Sequence, residues 1–156
     1  MELQKTKETA EELIAKHCPE FRFVFDNAKV RFGCCNFRKK EISLSRELAL
    51  LNDEKNVLDT ILHEIAHAVV GKGHGHDRVW RAKAIELGCD GNRCYTHDDV
   101  KVPTGKYTYE CTSCGRQIQR FRRIKRTIAC GGCCKTFNNN RFSEKYAFKR
   151  KYEVQK

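Results

Sequence analysis

At 156 residues the chain can hold one ordinary core and a small satellite, and its ten cysteines make metal binding the first chemistry to look for. No stretch approaches the roughly 18 consecutive apolar residues of a membrane span, and the opening MELQKTKETAEEL is charged throughout, which points to the cytoplasm or nucleus, where paired thiols more often hold metal than form disulfides. The charge of +11 is unevenly placed: residues 1–100 carry 16 Lys/Arg against 17 Asp/Glu, and residues 101–156 carry 15 against 3.

The first predicted element is an amphipathic helix over residues 6–17, with Ala10, Leu13, Ile14 and His17 on one stripe and Pro19 beyond its end. Phe21, Phe23 and Phe25 alternate in the manner of a half-buried strand, and two shorter strands are expected at 29–35 and 40–44. Ser45 can cap a short helix through Leu51, and Asn52 or Asp53 can cap a long one that runs to Val70 and stops at Gly71. On that long helix Leu58, Ile61, Leu62, Ile65 and Val69 form the apolar stripe. Asn56, Thr60, His63, Glu64 and His67 share the opposite face, so the histidines are expected to look away from the main core contact. After the loop GKGHGH, a helix from about Asp77 to Leu87 places Trp80, Ala84 and Leu87 together and ends at Gly88. Around Pro103 and Gly105 the composition turns basic, which divides the chain into a domain over 1–104, a ribbon over 105–137 and a basic tail over 138–156 that either pairs with the ribbon or stays mobile. The first part reads as α+β, a small sheet packed by helices.

HEIAH at 63–67 puts His63 and His67 one turn apart on one helical face, so both imidazoles can reach a single zinc ion, with Glu64 between them as general base. A catalytic zinc needs three protein ligands and an open position, and the following loop offers His74 and His76. His76 is favoured because Trp80, one turn later, can fix it, whereas His74 lies between Gly73 and Gly75. Tyr95 and His97 are candidates to stabilise an oxyanion.

CTSC at 111–114 and CGGC at 130–133 are two C-x2-C knuckles with 15 residues between them, the spacing of a closed four-cysteine zinc site built from Cys111, Cys114, Cys130 and Cys133, with Cys134 able to substitute for Cys133. Such a site has no open position and serves folding. Between the knuckles Arg116, Arg120, Arg122, Arg123, Lys125 and Arg126 occur without a single acid, and Tyr107, Tyr109 and Phe121 are available to stack on bases. A hairpin held at its base by zinc would gather them into a surface for DNA, single- or double-stranded, or for RNA. Cys18, Cys34, Cys35, Cys89 and Cys94 read as buried thiols, with Cys89 and Cys94 a candidate further metal pair.

HEIAH followed by GHGHDRVW resembles the SprT-like zinc metalloproteases, the Spartan-related family, in which the third zinc histidine stands four residues before an aromatic; His76 and Trp80 have that spacing. The family commonly has Gly after this histidine, whereas Asp77 follows His76 and Gly75 follows His74, so His74 stays open as the third ligand. The resemblance covers roughly residues 6–137, including a zinc-binding segment after the protease domain. It implies a zincin-like fold and proteolysis of proteins attached to DNA; one catalytic and one structural zinc, a monomer and no membrane association are expected. The alternatives are a nucleic-acid-binding protein with a structural or vestigial histidine site, and a metal-dependent hydrolase of other substrates.

Overall fold

The computed structural model describes residues 2–93 and 100–153. It is a mixed α+β chain that divides into two compact units, Met1–Pro103 and Thr104–Lys156, at the point where the composition turns basic. Among the described residues no helix is long and apolar enough to cross a membrane.

In the first unit, helix α1 (Leu3–His17) buries Thr6, Ala10 and Ile14. Strands β1 (Arg22–Asp26), β2 (Gly33–Asn36) and β3 (Glu41–Ser45) form a sheet in the order β1-β3-β2, with β1 parallel and β2 antiparallel to the central β3. The register pairs Phe23 with Ile42, Phe25 with Leu44, Cys35 with Ile42 and Gly33 with Leu44. Because strand side chains alternate, these residues share one face, and the helices cover it. Burying Ile42 and Leu44 completely contributes about 1.5–3 kcal/mol each. The strand expected at 29–35 begins only at Gly33. Asp26 accepts from the Ala28 N–H and the Ser43 hydroxyl and pairs with Arg31, which ties the preceding residues into a loop instead.

Helix α2 (Arg46–Leu51) starts where the Ser45 hydroxyl accepts from the Leu48 N–H at 3.1 Å. Helix α3 (Glu54–Val70) is capped by Asp53, not Asn52, through the Asn56 N–H at 2.9 Å. Each such cap is worth about 1 kcal/mol. Asn52 is buried and bridges Leu48 to Lys101. Gly71, at φ 86, ends α3 in a backbone conformation that side chains disfavour. Helix α4 (Arg78–Glu86) is capped by Asp77 and lays Trp80 and Ala84 on Leu62 and Ala66 of α3. The single apolar stripe expected on α3 is therefore incomplete. Val57, Ile61, Ile65 and Ala68 meet the sheet core, Leu62 and Ala66 meet α4, and Val69 is exposed.

In the second unit, β4 (Tyr107–Cys111), β5 (Gln117–Arg120) and β6 (Phe148–Glu153) form an antiparallel sheet in the order β5-β4-β6. Helix α5 (Gly131–Phe137) follows the second knuckle. The segment set apart as a tail supplies β6, and its Tyr146 carbonyl accepts from the Cys130 N–H. The first knuckle occupies the β4–β5 turn, closed by Gly115 at φ 71, so Cys111 and Cys114 sit at the tip of a hairpin that β5 makes with the preceding strand, and the segment between the knuckles forms no hairpin of its own. Residues beyond Arg120 leave the sheet and return to the second knuckle without regular structure until an isolated bridge at Ala129.

Candidate metal centres

Helix α3 presents His63 and His67 one turn apart, and the residue just before the α4 cap, His76, closes on both: its Nε2 lies 3.0 Å from His63 Nε2 and 3.2 Å from His67 Nε2. One nitrogen carries at most one proton, so His76 Nε2 cannot satisfy both neighbours as a donor. Three nitrogens at a tetrahedral ion, about 2.0–2.1 Å away, would stand about 3.3 Å apart, close to the separations seen. The donor set fits a single zinc ion.

Trp80 holds this arrangement from below. It is 1% exposed, and its ring centroid lies 4.6, 5.2 and 4.5 Å from those of His63, His67 and His76. Its Nε1 finds no partner among the described residues, so packing against the imidazoles places the indole. The His74 carbonyl accepts from the His67 ring; with Nε2 turned to His76, the donor is Nδ1, which leaves the Nε2 lone pair for metal. Burial lowers the pKa of both His63 and His67 to about 4, with neighbouring imidazoles adding to it, so both are neutral near pH 7.

Glu64, expected on an outward face, is instead only 8% exposed and lies against β2. Burial raises its pKa to about 7, opposed by the Cys35 N–H, which donates to the carboxylate, and by the Arg31 charge. Gly33 and the Cys35 backbone thus belong to the site, and sequence reasoning missed both. The only signal was a glycine inside a strand pattern, a mark of close backbone approach.

The four cysteines converge as well. Cys111 Sγ lies 3.8 Å from Cys133 Sγ, and Cys114 Sγ 3.8 Å from Cys130 Sγ. All four ligand atoms lie within 4.8 Å of one another. A tetrahedron of sulfurs about 2.3 Å from zinc has edges of about 3.8 Å, so this donor set also fits. The Ser113 N–H donates to Cys111 Sγ, the usual backbone support of a thiolate at a knuckle. Cys134 is buried outside the cluster, its N–H committed to the Cys130 carbonyl.

A family model described as SprT-like matches residues 3–100. The chain belongs to the SprT-like family. Among curated relatives, the protein SprT-like of Geobacillus kaustophilus is 35% identical over 85 residues, which is 51% of this chain and 57% of that protein. The SprT proteins of Enterobacter sp. and Salmonella arizonae are 25% identical over 130 and 126 residues, 78% and 76% of each chain. The chain thus spans about half the length of the first of these relatives and about three quarters of the others. No solved structure matches. Within this family membership, the chain carries one histidine group and one cysteine group that could each hold a metal ion.

The remaining candidates of this SprT-like chain divide clearly. Tyr95, His97 and Cys94 lie outside the described residues. Cys89 lies within 4.8 Å of Asp59 and Asp90, but Asp59 accepts from the Asp90 N–H and Asp90 from the Asn92 N–H, so both carboxylates shape a turn. Arg116, Arg120, Arg122, Arg123, Lys125 and Arg126 are all exposed. Tyr109 is not available for stacking: it is 6% exposed and its hydroxyl accepts from the Ile124 N–H. Tyr107 is half-buried beneath Arg123. Phe137 and Phe142, not singled out from the sequence, are the exposed aromatics among the described side chains of this unit; neither lies in a periodic pattern that would have marked it.

His74 is spoken for by Asp77, to which its Nδ1 lies at 2.8 Å. His76→Ala is therefore expected to abolish metal uptake in this cluster, whereas His74→Ala weakens it by no more than about 10–100-fold through lost support of Asp77 and His67. Trp80 is the sole tryptophan, so quenching of its fluorescence by added Cu2+ reads the site directly. Equal losses in the two variants would remove the distinction.

Proposed function

We propose that this chain is a zinc-dependent endopeptidase of zincin-like fold that binds nucleic acid and cleaves proteins associated with or crosslinked to DNA. The observation that carries the reading is the meeting of His63, His67 and His76 around one point, with the carboxylate of Glu64 on the same helix. The zincin-like assignment is supported by this helix lying across a mixed sheet whose edge strand β2 touches Glu64.

His63, His67 and His76 would hold the zinc, and Cys111, Cys114, Cys130 and Cys133 a second, structural one. Zinc, when bound by three histidines, supplies a Lewis acid that polarises a carbonyl and brings the pKa of water into the neutral range. Glu64 is the general base and then the general acid: its carboxylate accepts a proton on an oxygen and returns it to the departing amine, and the burial that raises its pKa in the metal-free chain makes it a stronger base than a solvated carboxylate. The Cys35 N–H keeps one of its oxygens oriented meanwhile.

The nucleic-acid half of the proposal rests on charge and exposure. Residues 111–143 contain no acid, and the six basic residues of the inter-knuckle segment are exposed together with Phe137 and Phe142. Phosphate contacts would give affinity without sequence readout, and exposed rings would favour unpaired bases. A binding module on the same chain raises the effective concentration of DNA-bound proteins at the peptidase.

The deciding experiment uses a protein covalently linked to DNA. The wild-type chain is expected to cleave it, and to cleave the same protein more slowly when it carries no DNA, while Glu64→Gln keeps two zinc ions and loses cleavage. Zinc retained with no cleavage under any nucleic-acid condition would favour a binding protein or a hydrolase of another substrate. Replacing Arg120, Arg122 and Arg123 by Ala should reduce the slope of log affinity against log salt by about 2–3. An unchanged slope places the binding face elsewhere.

A further inference from the structure

Strand β2 is an edge strand that leans on α3, and Gly33 marks the closest approach. A Cβ at Gly33 would stand 2.8 Å from both Cγ and Oε1 of Glu64 and 2.9 Å from Cγ2 of Thr60, closer than real Cβ contacts come. The backbone does not require glycine here. Gly33 is not among the glycines with positive φ, and it sits in regular register opposite Leu44. Glycine inside a strand forfeits packing and costs conformational entropy, so its presence calls for a reason other than the turn. The volume occupied by the Glu64 side chain supplies that reason.

We propose that Gly33 is a positioning residue for the general base: its missing side chain lets the Glu64 carboxylate lie against β2. The inference rests on the reading of Glu64 as general base for its catalytic consequence, but not for its structural one. Any side chain at 33 meets the flexible Glu64 first, and the carboxylate can rotate off the strand while α3 and its histidines stay in place. A displacement of about 1 Å in a catalytic group costs on the order of 100-fold in rate.

The test is Gly33→Ala in the full chain. Cu2+ quenching of Trp80 should be retained, kcat should fall by about 10–100-fold with KM unchanged, and Tm should fall by about 4–8 °C. The Tm loss should shrink when Gly33→Ala is combined with Glu64→Ala and persist when it is combined with Thr60→Ser. Relief by Thr60→Ser alone would overturn the proposal, since Gly33 would then serve helix packing; so would a variant with wild-type kcat and Tm. A wild-type chain without peptidase activity overturns the general-base reading, and the stability comparison still decides whether Gly33 accommodates Glu64.

Discussion

Cys133→Ser is expected to unfold the second unit while leaving the first intact. Among the described residues, the hydrophobic cluster of Thr104–Lys156 comprises Cys111, Cys130, Cys133, Cys134 and Tyr146, with Ala129 and Phe148 packed at its margin and little beyond Tyr109 and Ala147 buried outside it. Four of its five buried members are thiols. That is too little apolar surface to offset the ordering of about 50 residues at about 1–2 kcal/mol each for the backbone alone. Binding of a structural zinc contributes about 10–16 kcal/mol, and in such a unit that binding energy is folding energy. Removing one of four sulfurs, or chelating the metal, should therefore expose the amides of Tyr107–Cys111 to rapid hydrogen exchange. The emission of Trp80, in the other unit, should stay native. Cys134→Ser supplies the control, because Cys134 is buried but outside the cluster. Equal protection in the Cys133→Ser and wild-type chains would sink the idea of a metal-dependent fold.

The second large effect concerns the carboxyl that α3 buries. In the metal-free chain, burial raises the Glu64 pKa from 4.5 to about 7. Between those values the folded state holds a proton that the unfolded state releases, so the contribution of Glu64 to stability is present below pH 4.5 and is lost as pH rises through 7. Gln carries no such titration. The stability advantage of Glu64→Gln over the wild type should therefore grow by about 3 kcal/mol between pH 4.5 and 8, at 1.36 kcal/mol per pKa unit. The histidine titrations are common to both chains and cancel in the comparison. Urea unfolding with chelator present, followed by Trp80 fluorescence, measures the difference. An advantage independent of pH would mean that the Glu64 carboxylate is solvated. Bound zinc favours the ionised carboxylate and is expected to flatten the dependence.

Most of the elements are legible in the sequence. Ser45 and Asp53 cap the helices they precede, Gly71 and Gly88 follow the ends of α3 and α4, and the phenylalanine alternation marks β1. These signals are local, since each reports a backbone hydrogen bond or a φ angle that neighbouring residues determine. The surroundings of α3 were not legible. The helix is wrapped by the sheet on one side and by α4 on another, so a search for one apolar stripe mistook the burial of Val69 and of Glu64. Likewise, the pairing of β6 with β4 joins residues about 40 positions apart, and no periodicity within 138–156 announces it.

By itself, the amino-acid sequence determined which groups could meet a metal. Helical pitch places His63, Glu64 and His67 on one face, and C-x2-C spacing lets each knuckle present two sulfurs, because covalent geometry alone brings these atoms together. Only the tertiary structure brought His76 rather than His74 to the other two histidines and Cys133 rather than Cys134 to the other three cysteines, and only it brought Gly33 and the Cys35 backbone to Glu64. Those choices depend on how α4 packs on α3, how α5 enters the cysteine cluster and how β2 crosses α3. They are contacts between segments distant in the chain, set by side-chain packing that no local pattern encodes.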